Sequence, residues 1–187
     1  MPDGAKDIRR TQSGMTEHTL ARKYYPLAFF VTAALYFIGG YIGLAAPYHG
    51  STVTLIWPPT GIAFFALMIC GLRIWPAVAL GAFLVNLTTG VPLETIAGIT
   101  IGNTLGGIAG YLLARRFLNR PYLARPRDML VFLLAAVCLG PVVSAGNGAL
   151  ILCLTLVPDW SAYAGIFAGW WVGDAMGVLV LAPLLLG

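Results

Sequence analysis

Charged residues are scarce in this chain: Asp, Glu, Lys and Arg together make up 10% of its 187 residues. A soluble globular domain carries roughly a quarter charged residues, so this composition cannot supply a water-soluble surface. Hydrophobic residues make up 59% of the chain instead, and many of them form uncharged runs of about 18 residues or more, the length of a membrane-spanning helix. The scarcity of charge therefore excludes a soluble domain and predicts an integral membrane protein.

Cysteine and histidine are also rare, with three and two residues respectively. The cysteines lie in or at the end of apolar segments without CxxC spacing, and the histidines lie in separate loops. No metal-ligand cluster, disulfide framework, nucleophile elbow or phosphate loop can be recognised from these spacings. We therefore predict no metal, no cofactor and no catalytic residue in this chain. The net charge of +4 is spread along its length, which argues against nucleic acid as a partner.

The apolar runs predict an all-α bundle of about six membrane segments. We place these segments at about residues 24–46, 52–71, 74–87, 93–114, 129–157 and 160–187. The fifth has Gly140 and Pro141 near its middle, and we expect both it and the sixth to be broken helices. Full turns at the two breaks would raise the count to eight, but halves of about 13 to 15 residues are short for a 30 Å hydrocarbon core. We prefer six.

Basic residues alternate between the loops. They occur in the tail of residues 1–23, at Arg73 and in the loop after the fourth segment, whereas the other three loops have none. Because cytoplasmic loops carry the excess of Lys and Arg, we predict that both termini are cytoplasmic. The chain then consists of a cytoplasmic polar tail, 1–23, and a transmembrane domain, 24–187. Its last residues stop inside an apolar stretch, which suggests a module of a longer protein.

Two glycine ladders at four-residue spacing lie in the fourth and sixth segments. Their members are Gly98, Gly102, Gly106, Gly110, Gly165, Gly169, Gly173 and Gly177. A stripe of glycine lets a neighbouring helix approach closely, so we predict that both ladders pack helices, within one bundle or between two copies. Asn103 follows one ladder residue and Asp174 another. If these two helices packed together, the amide and the carboxylate would share one seam.

Asp174 is the only acidic residue deep within any predicted segment. A charge at the centre of a bilayer costs about 3 kcal/mol on insertion scales, so this carboxyl group needs a partner. Pro58 and Pro59 remove two backbone donors and predict an extended or tight-turned entry, with the helix beginning near Pro59. Irregular backbone at membrane depth is tolerated only where protein or a water-filled cavity covers it.

These features predict one polar pocket that opens toward the outer side of the membrane and binds a ligand. Its candidate lining residues are Trp57, Pro58, Pro59, Thr60, Asn86, Asn103, Trp171 and Asp174. A purely structural alternative stays open, in which the "WPP" turn caps a short helix and hydrogen bonds satisfy Asp174.

Three stretches, in this order, resemble the MASE1 family: "WPPTGIAFFALMICGLRIWPAVALGAFLVNL", "GNTLGGIAGYLLARR" and "WWVGDAMGVLVLAPLLL". The resemblance implies a sensor domain of the bacterial inner membrane, of the kind found at the N-terminus of histidine kinases and diguanylate cyclases. Such a domain passes its signal to a cytoplasmic output domain, here outside the chain. The family supplies no ligand, so none can be inferred from the resemblance.

Two functional classes follow. The first is a sensory module in the lipid bilayer that responds to a small molecule or to the state of the membrane, with a second copy or another membrane protein as partner. The second is a small transporter or channel component, which broken helices and a mid-membrane carboxylate would favour.

Overall fold

The computed structural model describes the backbone of residues 3–45, 55–118, 123 and 125–186, and within these ranges the side chains from residue 23 onward. The described residues form six helices and no strand, which confirms the all-helical prediction. The helices are α1 Asp3–Ala45, α2 Pro58–Cys70, α3 Trp75–Leu87, α4 Leu93–Arg115, α5 Pro126–Thr155 and α6 Tyr163–Leu186. Short 3-10 turns at Leu72–Ile74 and Trp160–Ala162 precede α3 and α6.

Four of these helices are long and apolar enough to cross a membrane. They are α1 from Lys23 onward, α4, α5, and α6 with the turn before it. The other two, α2 and α3, have 13 residues each, fewer than the roughly 20 that a crossing needs. We expected the segment that contains α2 to begin near residue 52, but residues 52–54 lie outside the described part. The helix begins at Pro58 because the fixed φ angle of proline suits a first helical turn.

The expected breaks in the fifth and sixth segments are wrong. Helix α5 is continuous over 30 residues, through Gly140 and Pro141. A π-helical stretch, Phe132–Leu139, comes immediately before this pair. Its wider turns change the hydrogen-bond register there, so the N–H that Pro141 lacks does not end the helix. Helix α6 likewise runs through Pro183, and neither helix has the reversal that a count of eight would require.

Helices that follow one another along the chain run in opposite directions. Gly43, near the end of α1, lies against the ring of Trp57 at the start of α2. At the other end of the pair, the Tyr25 hydroxyl donates to the Arg73 carbonyl, at 3.1 Å, in the turn that follows α2. Helix α3 then runs parallel to α1, because Gly81 lies against Tyr36 and Val85 against Gly40.

Helix α2 lies at the centre of the bundle, packed by α1, α4 and α6. Most of its residues are buried, as expected for a helix that is apolar on every side. The outward faces of the longer helices carry exposed large apolar side chains, for example Phe30 at 66% and Leu184 at 75% exposure. Such faces suit contact with lipid. In the irregular entry to α2, Trp57 is half-buried against its neighbours, whereas Leu55 and Ile56 are exposed.

Candidate functional site

Asp174 is buried in α6, with 1% of its surface exposed. The Thr60 hydroxyl of α2 donates a hydrogen bond of 2.6 Å to one carboxylate oxygen, Oδ1. The other oxygen, Oδ2, has no hydrogen-bond partner among the described residues. The carboxyl group is therefore only half satisfied within the part of the chain that the structure describes.

The "WPPT" turn reaches Asp174 because glycines bring the start of α2 directly onto α6. The Trp57 N–H donates to the Gly173 carbonyl at 2.8 Å. A Cβ atom at Gly177 would collide with the Trp57 carbonyl oxygen, and one at Gly61 would collide with the Gly177 carbonyl oxygen. Backbone thus lies on backbone without room for a methyl group, and this close approach places Thr60 against Asp174.

Three further helices contribute polar side chains to this point. Ser144 of α5 lies beside the Asp174 carboxylate and donates to the Asn103 side-chain oxygen of α4 at 3.0 Å. The hydroxyl of Tyr36, from α1, lies beside the side chains of Trp57 and Asn103. We call this group the polar cluster; its members are Tyr36, Trp57, Thr60, Asn103, Ser144 and Asp174.

The polar cluster contains one acidic side chain, Asp174, and no basic one. The buried polar side chains of the described residues are threonines, asparagines, one serine and Asp174, without Lys, Arg or His. The described part of the chain also has no group of three or more His, Cys, Asp or Glu residues that could bind a metal ion. The cluster can therefore donate and accept hydrogen bonds, but no side chain within it neutralises an ionised Asp174.

Two of the predicted pocket residues have other partners. Asn86 is buried in α3, and its amide donates to the Ala82 carbonyl of the same helix at 2.8 Å. The indole N–H of Trp171 donates to the Cys138 carbonyl, at 2.9 Å, in the π-helical stretch of α5. Four of the eight candidates, Trp57, Thr60, Asn103 and Asp174, come together, while Pro58 and Pro59 shape the turn without adding a polar atom.

All four glycines of the α4 ladder face α5. Added Cβ atoms would lie 2.6 Å from Ile151 at Gly98, against Asn147 at Gly102, 2.7 Å from Ser144 at Gly106 and 3.6 Å from Gly140 at Gly110. The Asn147 amide lies over this ladder and donates to the Gly98 carbonyl at 2.7 Å.

The α6 ladder has different neighbours along its length. Gly173 and Gly177 meet the start of α2, whereas Gly165 is exposed with open space around it and Gly169 is half-buried. The two ladders therefore do not pack against each other in the expected seam. Instead, Ser144 of α5 lies between Asn103 and Asp174 and connects them.

Sequence reasoning missed Tyr36, Ser144 and Asn147. A signal for two of them was present, since Ser144 and Asn147 are polar residues three apart in an apolar run and so share a helix face. Tyr36 had no such signal, because a tyrosine in a membrane segment is compatible with simple packing.

Comparison with known proteins agrees with the sequence resemblance. Residues 26–186 match the MASE1 family model. The probable diguanylate cyclase DgcE of Escherichia coli K12 is 27% identical in an alignment 180 residues long, which covers 92% of this chain but only 16% of that relative. Solved structures include no match to this chain. Since the family match takes in every residue of the polar cluster and nearly the whole chain, this protein belongs to the MASE1 family of membrane sensor domains.

Proposed function

We propose that this chain is the sensory module of a bacterial signal-transduction protein in the inner membrane. Ligand binding at the polar cluster changes how the helices pack, and the change is passed to a cytoplasmic output domain outside these residues. The observation that supports this best is the buried Asp174 oxygen, which has no hydrogen-bond partner among the described residues, at a point that α1, α2, α4, α5 and α6 all reach. The catalytic step belongs to the output domain and not to this chain.

The physical reason is the free energy of an unpaired polar atom in an apolar bundle. Intramembrane ionisable residues are expensive and are found chiefly where they bind, relay or sense. A ligand that satisfies Asp174 Oδ2 in only one packing arrangement shifts the population toward that arrangement. Because Thr60 and Ser144 adjoin the same carboxyl group from α2 and α5, such a shift moves three helices relative to one another.

The proposal includes six membrane crossings with both termini in the cytoplasm. Between Tyr25 and Gly43, helix α1 rises about 27 Å, and α2 with its extended entry and following turn covers this same distance. Tyr111 lies near the turn after α2 and accepts a hydrogen bond from Arg115 at 3.1 Å. Arg115 and Arg73, which belongs to that turn, are therefore at the same end of the bundle. Labelling of single cysteines at Arg73 and Gly90 from either side of the membrane tests this arrangement, which predicts opposite accessibility.

The output domain is proposed from the relative. A protein named as a probable diguanylate cyclase contains a region similar to this chain, and this chain spans about one sixth of its length. A cyclase or a histidine kinase domain therefore suits the role of output. A second copy or another membrane protein suits the role of partner, because exposed Gly165 and its neighbours leave room for a close helix contact.

A chimera tests the sensory role. We would replace the matching region of DgcE by this chain and measure cyclic di-GMP in cells with wild type, Asp174→Asn and, as a matched control at an exposed position of α6, Val180→Ala. We expect Asp174→Asn to change the output by severalfold at equal membrane levels and Val180→Ala to leave it unchanged. Equal output from all three chimeras would contradict a sensory role for the cluster.

The structure removes one of the two observations that favoured a transporter. It drew on broken helices in the fifth and sixth segments, and both helices are continuous. The mid-membrane carboxylate remains, but it fits a sensory site equally well, so we do not propose transport.

A further inference from the structure

We propose that the polar cluster binds a monovalent metal cation of the sodium class, with Asp174 Oδ2 as its charged ligand. This deepens the proposed function, on which it rests for the role of the site. The starting point is Asp174 itself, which is buried, has a free oxygen and has no basic side chain beside it among the described residues. An unsatisfied buried group in a native structure calls for a missing proton, water or ion.

Three side-chain oxygen atoms lie near the Asp174 carboxylate. The hydroxyls of Thr60 and Ser144 adjoin the carboxylate, and the side-chain oxygen of Asn103 lies within 3.0 Å of the Ser144 hydroxyl. A hydroxyl that donates one hydrogen bond keeps lone pairs that can coordinate a cation. Carboxylate, carbonyl and hydroxyl oxygens are hard ligands, which favour hard cations over the soft metals that need thiolate.

The charge of the site selects a monovalent ion. Asp174 is the one acidic side chain among the buried described residues, so a cation of charge +1 gives a neutral cluster. A divalent ion would leave one uncompensated positive charge in an apolar bundle, which carries a large desolvation cost. We take sodium as the probe ion, with potassium for comparison.

The ligands come from separate helices, so occupancy would control packing. Thr60 belongs to α2, Ser144 to α5 and Asp174 to α6. A bound ion would hold these helices together through one centre. Without the ion, an ionised Asp174 would have only the hydrogen bond from Thr60 and the adjoining Ser144 hydroxyl to oppose its desolvation.

Thermal unfolding of the purified chain in detergent tests the proposal. The protein would be melted in sodium, potassium and choline chloride at equal ionic strength, over a range of pH. We expect sodium to raise the melting temperature saturably, by about 5 °C, because a ligand that binds only the folded state stabilises it. Choline should give no rise and potassium a smaller one, and Asp174→Asn should abolish the sodium effect.

Two variants keep the test decisive. Thr100→Val is the matched control, since the Thr100 hydroxyl of α4 is also buried without a partner but lies outside the cluster; it should retain the full sodium effect. If Asp174→Asn fails to fold, Ser144→Ala replaces it, and we expect the sodium concentration at half-effect to rise about tenfold, the effect of losing about 1.4 kcal/mol.

Several results would overturn the cation. One is identical melting in all three salts at every pH, and another is a sodium effect that survives Asp174→Asn. Melting that depends on pH but not on the cation would mean that a proton occupies the carboxyl group instead; Tyr36 is the other titratable side chain facing it. The chimera separates these failures from failure of the sensory role, because an output that depends on Asp174 without any sodium effect retains the sensor and rejects the ion.

Discussion

Glycines allow close helix contacts at two places in this bundle, and the two places differ in the atoms that the glycines contact. Along the α4–α5 seam, the first three ladder glycines of α4 face side chains, and Gly110 lies at ordinary contact distance from the backbone of Gly140 and Ala136. Two hydrogen bonds join these helices away from the cluster, from Asn147 to the Gly98 carbonyl at 2.7 Å and from Thr95 to Thr155 at 2.9 Å. At the α2–α6 junction, Gly61 and Gly177 face backbone carbonyls, and the carboxyl group between the helices has one unpaired oxygen.

We interpret this difference as one between a packing contact and the proposed binding site. A seam in which glycines accommodate side chains and the linking polar groups have partners is a complete structural contact. At the α2–α6 junction, glycines hold an irregular turn close to a carboxylate. One oxygen of that carboxylate has no hydrogen bond among the described residues. The unsatisfied atom at the more tightly constrained junction therefore points to a ligand more strongly than a glycine ladder does.

The largest expected effect comes from Gly177→Ala. The new methyl group would overlap the Trp57 carbonyl oxygen, and backbone cannot move aside as a flexible side chain can. We expect a loss of about 3 kcal/mol in the free energy of unfolding, the upper part of the usual range for overpacking. Gly110→Ala is the control, because its Cβ would lie at an ordinary 3.6 Å from Gly140. Equal unfolding curves for the two variants in mixed micelles would contradict the close contact.

Thr60→Val should have the next largest effect. It removes the 2.6 Å hydrogen bond to Asp174 while it nearly preserves the side-chain volume. Interhelical hydrogen bonds in membranes contribute about 1–2 kcal/mol at the strong end, and we expect a loss of that size in unfolding experiments. Thr100→Val deletes a buried hydroxyl that has no partner in the described part of the chain, so it should be neutral or slightly stabilising. A larger loss for Thr100→Val would reverse this interpretation of the two threonines.

Asn147→Ala tests the α4–α5 seam. The substitution deletes the hydrogen bond to the Gly98 carbonyl, and the average interhelical value predicts a loss of about 0.6 kcal/mol. Because the seam is structural, the melting temperature should fall while any ligand response at Asp174 stays intact. Loss of that response in Asn147→Ala, with the protein folded, would show that the two contacts are not separate.

Substitution of Asp159 should have the smallest effect on stability, and the surroundings of this carboxylate contrast with those of Asp174. This exposed carboxylate precedes α6 and has both oxygens paired, Oδ1 with the Ser161 N–H at 2.9 Å and Oδ2 with the Ser161 hydroxyl at 2.7 Å. The hydrogen bonds from the Ser161 side chain and backbone lower the pKa of Asp159 below its usual value.

The stabilisation from Asp159 is therefore present above the pKa of the unfolded chain and is lost as the pH falls through the lower folded value. We expect Asp159→Asn to lower the melting temperature slightly at neutral pH and to reduce its dependence on pH in the acidic range. An unchanged acidic profile would indicate that the Ser161 contacts add nothing to stability.

Local patterns made several parts of this structure predictable. Apolar runs between basic or turn-forming residues located all six helical segments, because a chain in lipid must bury its backbone polar groups in helices. Pro58 at the start of α2 followed from its fixed φ angle. The pairing of Asp174 with the "WPPT" turn was expected because a lone carboxyl group and an irregular backbone entry both need cover inside the bundle.

Other features depended on contacts between distant residues. The sequence by itself determined an all-helical membrane chain, the ends of most helices and the candidates Thr60, Asn103 and Asp174, since each follows from composition or local backbone chemistry. Only the tertiary structure decided that α5 stays continuous at Pro141, that it lies between Asn103 and Asp174, and that Asn86 bonds within its own helix. The physical reason is that a periodic stripe shows which face of a helix can pack but not which neighbour will occupy it.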